Sequence, residues 1–324
     1  MRFVPSWIRR AIVLPAFLAA ASLAHAQSYP DKPVRVIVPF PAGATLDYVV
    51  RLVSQRLGED WGQQFIVENR TGGAGIIGTD ALAKSAPDGY TIASVANSFA
   101  ANPTLRQDLP YDTARDFAPI TLIGSTPLIL VGHPSVTANT TAELVTLAKQ
   151  RPGKLSYGAA VGASPHMAMA WFVSVTGVDM ALVPYRGQAQ AQTDLLAGQI
   201  QLVFGNLPDV MPHVRAGKMK AYGIATAARS PLAPQIPTLA EAGYKGPEWD
   251  SWYGFVAPAK TPKEIVDKVA LGVKATLARP DIREKLLGVG LQPVGGTPEE
   301  FRAFLAEKNT SYAKIIKEAG IRAE

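Results

Sequence analysis

Short apolar runs of strand length alternate with amphipathic stretches of helix length along most of this 324-residue chain, and few folds accept that order. Val34-Arg35-Val36-Ile37-Val38 reads as a buried strand. It runs into Pro39-Phe40-Pro41-Ala42-Gly43, where the prolines exclude regular structure. Leu46, Val49, Val50, Val53 and Leu57 then share one helical face, with Thr45 placed to cap the helix. Phe65-Ile66-Val67 and residues 91–95 are the next strands. Strand–helix–strand alternation predicts α/β architecture, a mostly parallel sheet with helices on both faces.

A second series begins after Pro127, with a strand at 128–131. Thr140-Thr141-Ala142-Glu143 is a capping box opening a helix that reaches Gln150. A strand at 155–157 leads into the loop 159–164, where Ser164 and Pro165 read as N-cap and first residue of a helix ending near Gly177. A strand at 182–185 follows, then a helix through Leu195 and Leu196 that stops at Gly198, then strands at 202–204 and 221–225. Residues 226–250, rich in Pro and Gly, read as connection, and 253–256 as the last strand. Thr261-Pro262-Lys263-Glu264 and Thr297-Pro298-Glu299-Glu300 each combine a capping Thr, a first-turn Pro and a Glu three residues on. The C-terminal third is therefore expected to be helical and largely surface, a brace.

If that tail returns to the first unit, two lobes are joined by more than one crossing and enclose a hinged cleft. The expected division is 27–126 with 251–324 as one lobe and 127–250 as the other. Ligands of open α/β sheets sit beyond the carboxyl ends of strands. The turns at 40–45, 96–98 and 159–164 are the qualifying positions.

Residues 1–26 read as a secretory signal peptide. Arg2, Arg9 and Arg10 precede an apolar core at 11–22, and Ala24-His25-Ala26 fits the cleavage rule, with Gln27 as the mature start. The core is broken by Pro15 and falls short of the roughly 20 residues a bilayer span needs. A soluble exported product is expected. The formal charge is +6, but three of those positive charges lie in the leader with no acid beside them, leaving +3. No Lys/Arg run occurs beyond the leader, so no nucleic-acid partner is expected. Absence of cysteine excludes disulfides, thiolate catalysis and Cys-ligated metals.

Four motifs carry possible chemistry. Gly73-Ala74-Gly75-Ile76-Ile77-Gly78 matches G-x-G-x-x-G but follows the second strand, and the next strand ends at Asn97-Ser98 without the acid a ribose needs. A glycine-rich lead into a closely packed helix is the preferred reading over a nucleotide site. Gly162-Ala163-Ser164-Pro165-His166 sets a Ser beside a His, yet it is not G-x-S-x-G, and Pro165 removes an amide that an oxyanion hole would use. A secreted Ser164/His166 hydrolase is the rival, not the expectation; no enzyme activity is expected. His133, His166 and His213 form no metal motif, and neither metal nor cofactor is expected. Asp47 lies in a first helical turn, where it suits the dipole and can fix the preceding loop. What remains is anion binding: two glycine-containing loops that feed helix N-termini and present N–H groups to a shared cleft, with Arg186 able to add charge.

Several ordered motifs also resemble a known family. They are Val38-Pro39-Phe40-Pro41-Ala42-Gly43, Val67-Glu68-Asn69-Arg70, Ala86-Pro87-Asp88-Gly89-Tyr90, Leu109-Pro110-Tyr111-Asp112, Val183-Pro184-Tyr185-Arg186-Gly187, the segment 237–243 and the segment 294–301. Together they resemble the Bug family of periplasmic solute-binding receptors of tripartite tricarboxylate transporters, across residues 29–321. The resemblance implies a two-lobed type II periplasmic binding-protein fold. It further implies a small carboxylate ligand, membrane transporter components as partners and a monomeric receptor; a receptor feeding a sensor system is the alternative. By the same resemblance, Phe40, Gly43, Ala44, Thr45 and Asp47 hold one carboxylate, partly through waters, and Asn97 and Ser98 form a second contact. Gly162, Ala163, Ser164 and His166 supply the opposite lobe's loop, with Tyr185 and Asn206 beside it. This chain departs from the family pattern at Ala44, Ala163 and Gly205, where Gly, Ser or Thr, and an acid are common. Strain at Ala44, one lost hydroxyl and a poorer amine site are the expected consequences, favouring a carboxylate with an apolar or aromatic body.

Overall fold

The computed structural model describes residues 29–185 and 187–321; the expected leader and Arg186 lie outside the described residues. The first half begins with β1 (Val34–Val38), α1 (Thr45–Trp61), β2 (Phe65–Asn69), α2 (Ile76–Ala83), β3 (Thr91–Ala96) and α3 (Asn97–Leu105). Next come β4 (Phe117–Gly132), α4 (Thr141–Gln150), β5 (Ser156–Ala160), α5 (Ser164–Thr176), β6 (Ala181–Tyr185) and α6 (Gln188–Leu196). Then follow β7 (Leu202–Asn206), α7 (Leu207–Arg215), β8 (Lys220–Ile224) and β9 (Asp250–Pro258). The chain closes with α8 (Lys263–Ala278), α9 (Pro280–Gly288), β10 (Gln292–Pro293) and α10 (Pro298–Glu318).

The strands lie in the order β2-β1-β3-β9-β4-β7-β5-β6, with β8 and β10 also on β4. The strand expected at 128–131 is the end of a much longer one: β4 runs for 16 residues. Up to Pro127 it pairs with β9, and from Leu128 it pairs with β7 and β8. One strand therefore belongs to both halves. β9 enters the first half beside Pro127, where β4 leaves it.

Register also decides which ends face each other. β1, β2 and β3 are parallel, and β3 ends with Ala96 beside Tyr253, itself beside Gly124 of β4. β5, β6 and β7 are parallel to one another, run against β4, and β7 ends with Asn206 beside Leu128. The carboxyl ends of the two parallel sets thus point towards each other across four residues of β4, about 13 Å of strand.

Side-chain alternation divides the core. Leu128 and Leu130 enter one apolar cluster, Ile129 and Val131 another. On one face a single cluster runs through both halves, joining Phe99 of α3, Met167 of α5 and Phe301 and Ile315 of α10. On the opposite face the core is split: Val49 and Val266 belong to one cluster, Leu195 and Leu207 to another. The two halves are strapped on the first face and separate on the second.

Three expected N-caps differ. Ala44, Ala163 and Pro262 take the extended cap position, so Thr45, Ser164 and Thr261 do not cap. The Ser164 hydroxyl is drawn instead to the Asp250 carbonyl at 2.6 Å. Thr140 and Thr297 cap as expected, the latter in a complete capping box. Residues 96–98 are not a loop, because β3 passes straight into α3. The tail is also more than a surface brace: Phe301, Leu305, Tyr312, Ile315 and Ile316 of α10 are buried in the strapped core.

Candidate functional site

The β1–α1 turn is held from behind. Asp47 is buried and accepts the Gly43 N–H at 3.0 Å, the Arg51 guanidinium at 3.0 Å and the Asn69 amide at 2.8 Å. Asn69 also donates to the Phe40 carbonyl at 3.0 Å. Burial pushes the Asp47 carboxyl up, but these hydrogen bonds outweigh it and hold it below its ordinary value. Its charge is matched by Arg51, so the first turn of α1 keeps its positive dipole end. The Gly43 amide is consumed by Asp47. The amides of Thr45, Leu46 and Asp47, the first of α1, have no backbone acceptor among the described residues. Gly43 takes φ +81, which favours glycine, whereas Ala44 sits at φ −70 and is unstrained, contrary to the expectation from its Cβ.

The glycine-rich turn at 73–78 serves this loop. A Cβ on Gly78 would stand 2.7 Å from Pro39 Cβ and 2.8 Å from the Arg70 carbonyl oxygen. A Cβ on Gly75 would touch Phe40 and Ser98, each at 3.6 Å. These glycines let α2 press against the loop, and Phe40 and Ser98 converge there.

Asn97 and Ser164, expected from opposite lobes, meet directly. The buried Asn97 amide nitrogen lies 3.2 Å from Ser164 Oγ, 2.9 Å from the Asp250 carbonyl and 2.7 Å from the Tyr312 hydroxyl, with two hydrogens to share among them. Its oxygen accepts the Trp252 N–H at 3.2 Å. Tyr312 stacks on Trp249 with ring centroids 5.7 Å apart, and Lys308 pairs with Asp250 at 3.1 Å. This knot lies on the strapped face, where α10 crosses both halves. Sequence reading missed Asp250, Lys308 and Tyr312 because a polar residue at a strand start or on a C-terminal helix looks solvated until its partner is known, and Lys308 and Asp250 are 58 residues apart.

Gly162 and His166 form a closed pair: the Gly162 N–H donates to His166 Nδ1 at 3.2 Å. Burial pulls the imidazole down to about 4. Ser164 donates to a carbonyl and His166 accepts from an amide, so no Ser–His hydrogen bond of the kind a hydrolase needs is present among the described residues. A histidine that is neutral when folded loses stability as pH falls below its unfolded value near 6.5, until the folded group also protonates. From pH 7 to pH 4 the His166 contribution should fall by about 3 kcal/mol, at 1.36 kcal/mol per unit. Urea unfolding at several pH values checks this, and His166→Asn, which keeps an acceptor for Gly162, should flatten the dependence.

On the split face, Tyr185 donates to Asp194 at 2.6 Å, and burial together with that carboxylate pushes its hydroxyl up to about 12. Asn206 accepts from Ser251 at 2.8 Å and donates to Asp209 at 2.9 Å. Gln188, which sequence reading passed over, opens α6 beside them. Its amide donates to the Phe204 carbonyl at 2.6 Å, while its buried oxygen has no partner among the described residues. Its position just after the cap Gly187 was the available signal. A Cβ on Gly205 would stand 2.5 Å from Val210 Cγ1 and 3.3 Å from Gln192 Nε2, so a side chain there requires Val210 to shift. Ala163 keeps the extended cap conformation, so only its hydroxyl is missing.

Five helices start where the two sets of strand ends face each other, capped by Ala44, Ala96, Ala163, Gly187 and Asn206, and none of these caps by a side chain. A model of the "Tripartite tricarboxylate transporter family receptor" matches residues 49–321. The chain is 33% identical to Protein BugT of Bordetella pertussis over 316 residues, covering 96% of this chain and 97% of that one. A solved R. palustris protein, Rpa4515 with adipate, is 35% identical with a TM-score of 0.82, covering 91% of this chain and 99% of that one. MatC of Rhodopseudomonas palustris, with bound malate, is 28% identical with a TM-score of 0.79, covering 89% and 100%.

Proposed function

This chain belongs to the tripartite tricarboxylate transporter receptor family, and on that premise we propose that it captures a small organic carboxylate between its lobes and delivers it to membrane components of such a transporter. It has the two-lobed type II fold of periplasmic binding proteins, and its relatives are binding proteins, not enzymes. Among the described residues no helix is long and apolar enough to cross a membrane. Export through cleavage of residues 1–26 fits a periplasmic receptor.

The observation that carries the reading is the array of helix starts left without side-chain caps at the facing strand ends. Open first-turn amides and converging dipoles suit a carboxylate without an arginine clamp. We assign the first contact to the amides of Thr45, Leu46 and Asp47, shaped by Phe40, Gly43 and Ala44, with Ser98 beside them. The second lobe offers Ala163, Tyr185, Asn206 and Gln188. The lobes are taken as 27–126 with 251–324, and 127–250; the change of partner along β4 at Pro127 supports that division. Ligand contacts available only when both lobes touch drive closure. One chain supplies both walls, which fits a monomer.

Thermal unfolding with adipate, malate and benzoate, beside uncharged amides, tests the reading. A carboxylate at 100 times its Kd should add about 2.7 kcal/mol and raise Tm by roughly 4 °C. If uncharged compounds raise Tm and every carboxylate fails, the ligand class is wrong.

A further inference from the structure

On the strapped face, away from the split side of the core, lies a second cavity of about 450 Å³ between α5, the β5–β6 edge of the sheet and the C-terminal end of α10. That volume suits a small ligand. Two polar side chains line it although each residue is more than nine-tenths buried: Tyr157 is 7% exposed and His166 4%. Because His166 Nδ1 accepts the Gly162 N–H, the neutral ring carries its proton on Nε2. Neither that N–H nor the Tyr157 hydroxyl has a protein partner among the described residues. Both are donors held in a slot whose other walls include Val161, Val173, Leu182 and Pro184.

The electrostatics select against an anion. Glu318 and the C-terminal end of α10 line the slot, and a helix C-terminus carries partial negative charge. Among the described residues no Lys or Arg lines it. Water can reach both donors in the open slot, so a guest that displaces it must bring an acceptor, and the apolar walls suit a body without charge.

We propose that this cavity is a second binding site, for a small uncharged carbonyl compound, with the ligand oxygen accepting from Tyr157 and His166. Since the same imidazole holds the Gly162 turn, occupancy on one side of the ring is felt at that turn on the other.

The test is a titration of the mature protein with benzamide, followed by amide NMR shifts up to about 5 mM, a range that saturates a site with Kd near 1 mM. Saturable shifts are expected at Val161, Val173 and Leu182, with a linked shift at Gly162. Leu182→Trp, at a partly exposed edge-strand position, should abolish them while the circular dichroism spectrum and Tm stay unchanged. Tyr157→Phe should weaken binding about fivefold to tenfold, the range of one hydrogen bond. Benzoate, with the same ring and a charge, should bind these residues at least about tenfold more weakly. Shifts confined to residues 43–47, shifts that persist in Leu182→Trp, or no saturation at all would overturn the second site.

Discussion

Asn97→Leu should lower the unfolding free energy by about 2–4 kcal/mol, because it strands one buried amide outright, at roughly 1–3 kcal/mol, and removes a donor from two further groups. The Trp252 N–H loses its acceptor, while the Tyr312 hydroxyl and Asp250 carbonyl lose one donor each but keep Trp252 Nε1 and the Ser164 hydroxyl. Similar volume does not help, since a leucine can neither give nor take a hydrogen bond. Tyr312→Phe removes one of these groups and keeps the ring on Trp249, so about 1 kcal/mol is expected. Urea midpoints at constant m-value distinguish the two variants. A loss in Asn97→Leu no larger than that of Tyr312→Phe would mean that Asn97 is not the centre of the knot.

Asp47→Ala should weaken carboxylate binding about 100-fold, or about 2.7 kcal/mol, while costing stability only about 1–2 kcal/mol. Two effects oppose each other. Removing a negative charge near an anionic guest favours binding by about 2 kcal/mol at 8 Å and an effective dielectric of 20. That gain is already largely realised, because Arg51 lies 3.0 Å from the carboxylate. The loss is larger: the Gly43 N–H, Asn69 and Arg51 lose their common acceptor, and the turn at Gly43 is no longer fixed. Asp47→Asn keeps one acceptor and should fall between. Calorimetry with adipate, beside urea unfolding, reads both quantities. Unchanged affinity in Asp47→Ala would remove Asp47 from the binding machinery. pH separates this residue from His166. A carboxyl lowered on folding contributes above its unfolded value near 3.9 and loses that contribution only as pH falls through the lower folded one. His166 begins to act near pH 6.5.

Local signals gave the element pattern where they were strong. The capping box at Thr297 and the left-handed glycine ending α5 at Gly177 were legible because a few adjacent residues determine them. The first half of β4 was not, since Pro119 and Pro127 look like breakers until β9 is seen to pair around them. Ser164 was misplaced as a cap for a similar reason: its hydroxyl answers to Asp250, 86 residues away. The family resemblance pointed to the turns at 40–47 and 162–166. It did not reveal that Gly43 and Gly162 spend their amides internally, on Asp47 and His166. Nor was the crowding at Gly205 legible, since it depends on the position of Val210.

The unbroken run of β4 through both halves has a genetic consequence. A chain whose two sides share a backbone ribbon cannot be divided into separately inherited pieces at that point, because either fragment would be left with a bare sheet edge and half a register. Exchange between relatives should therefore respect the ribbon and fall in the surface turns on either side of it.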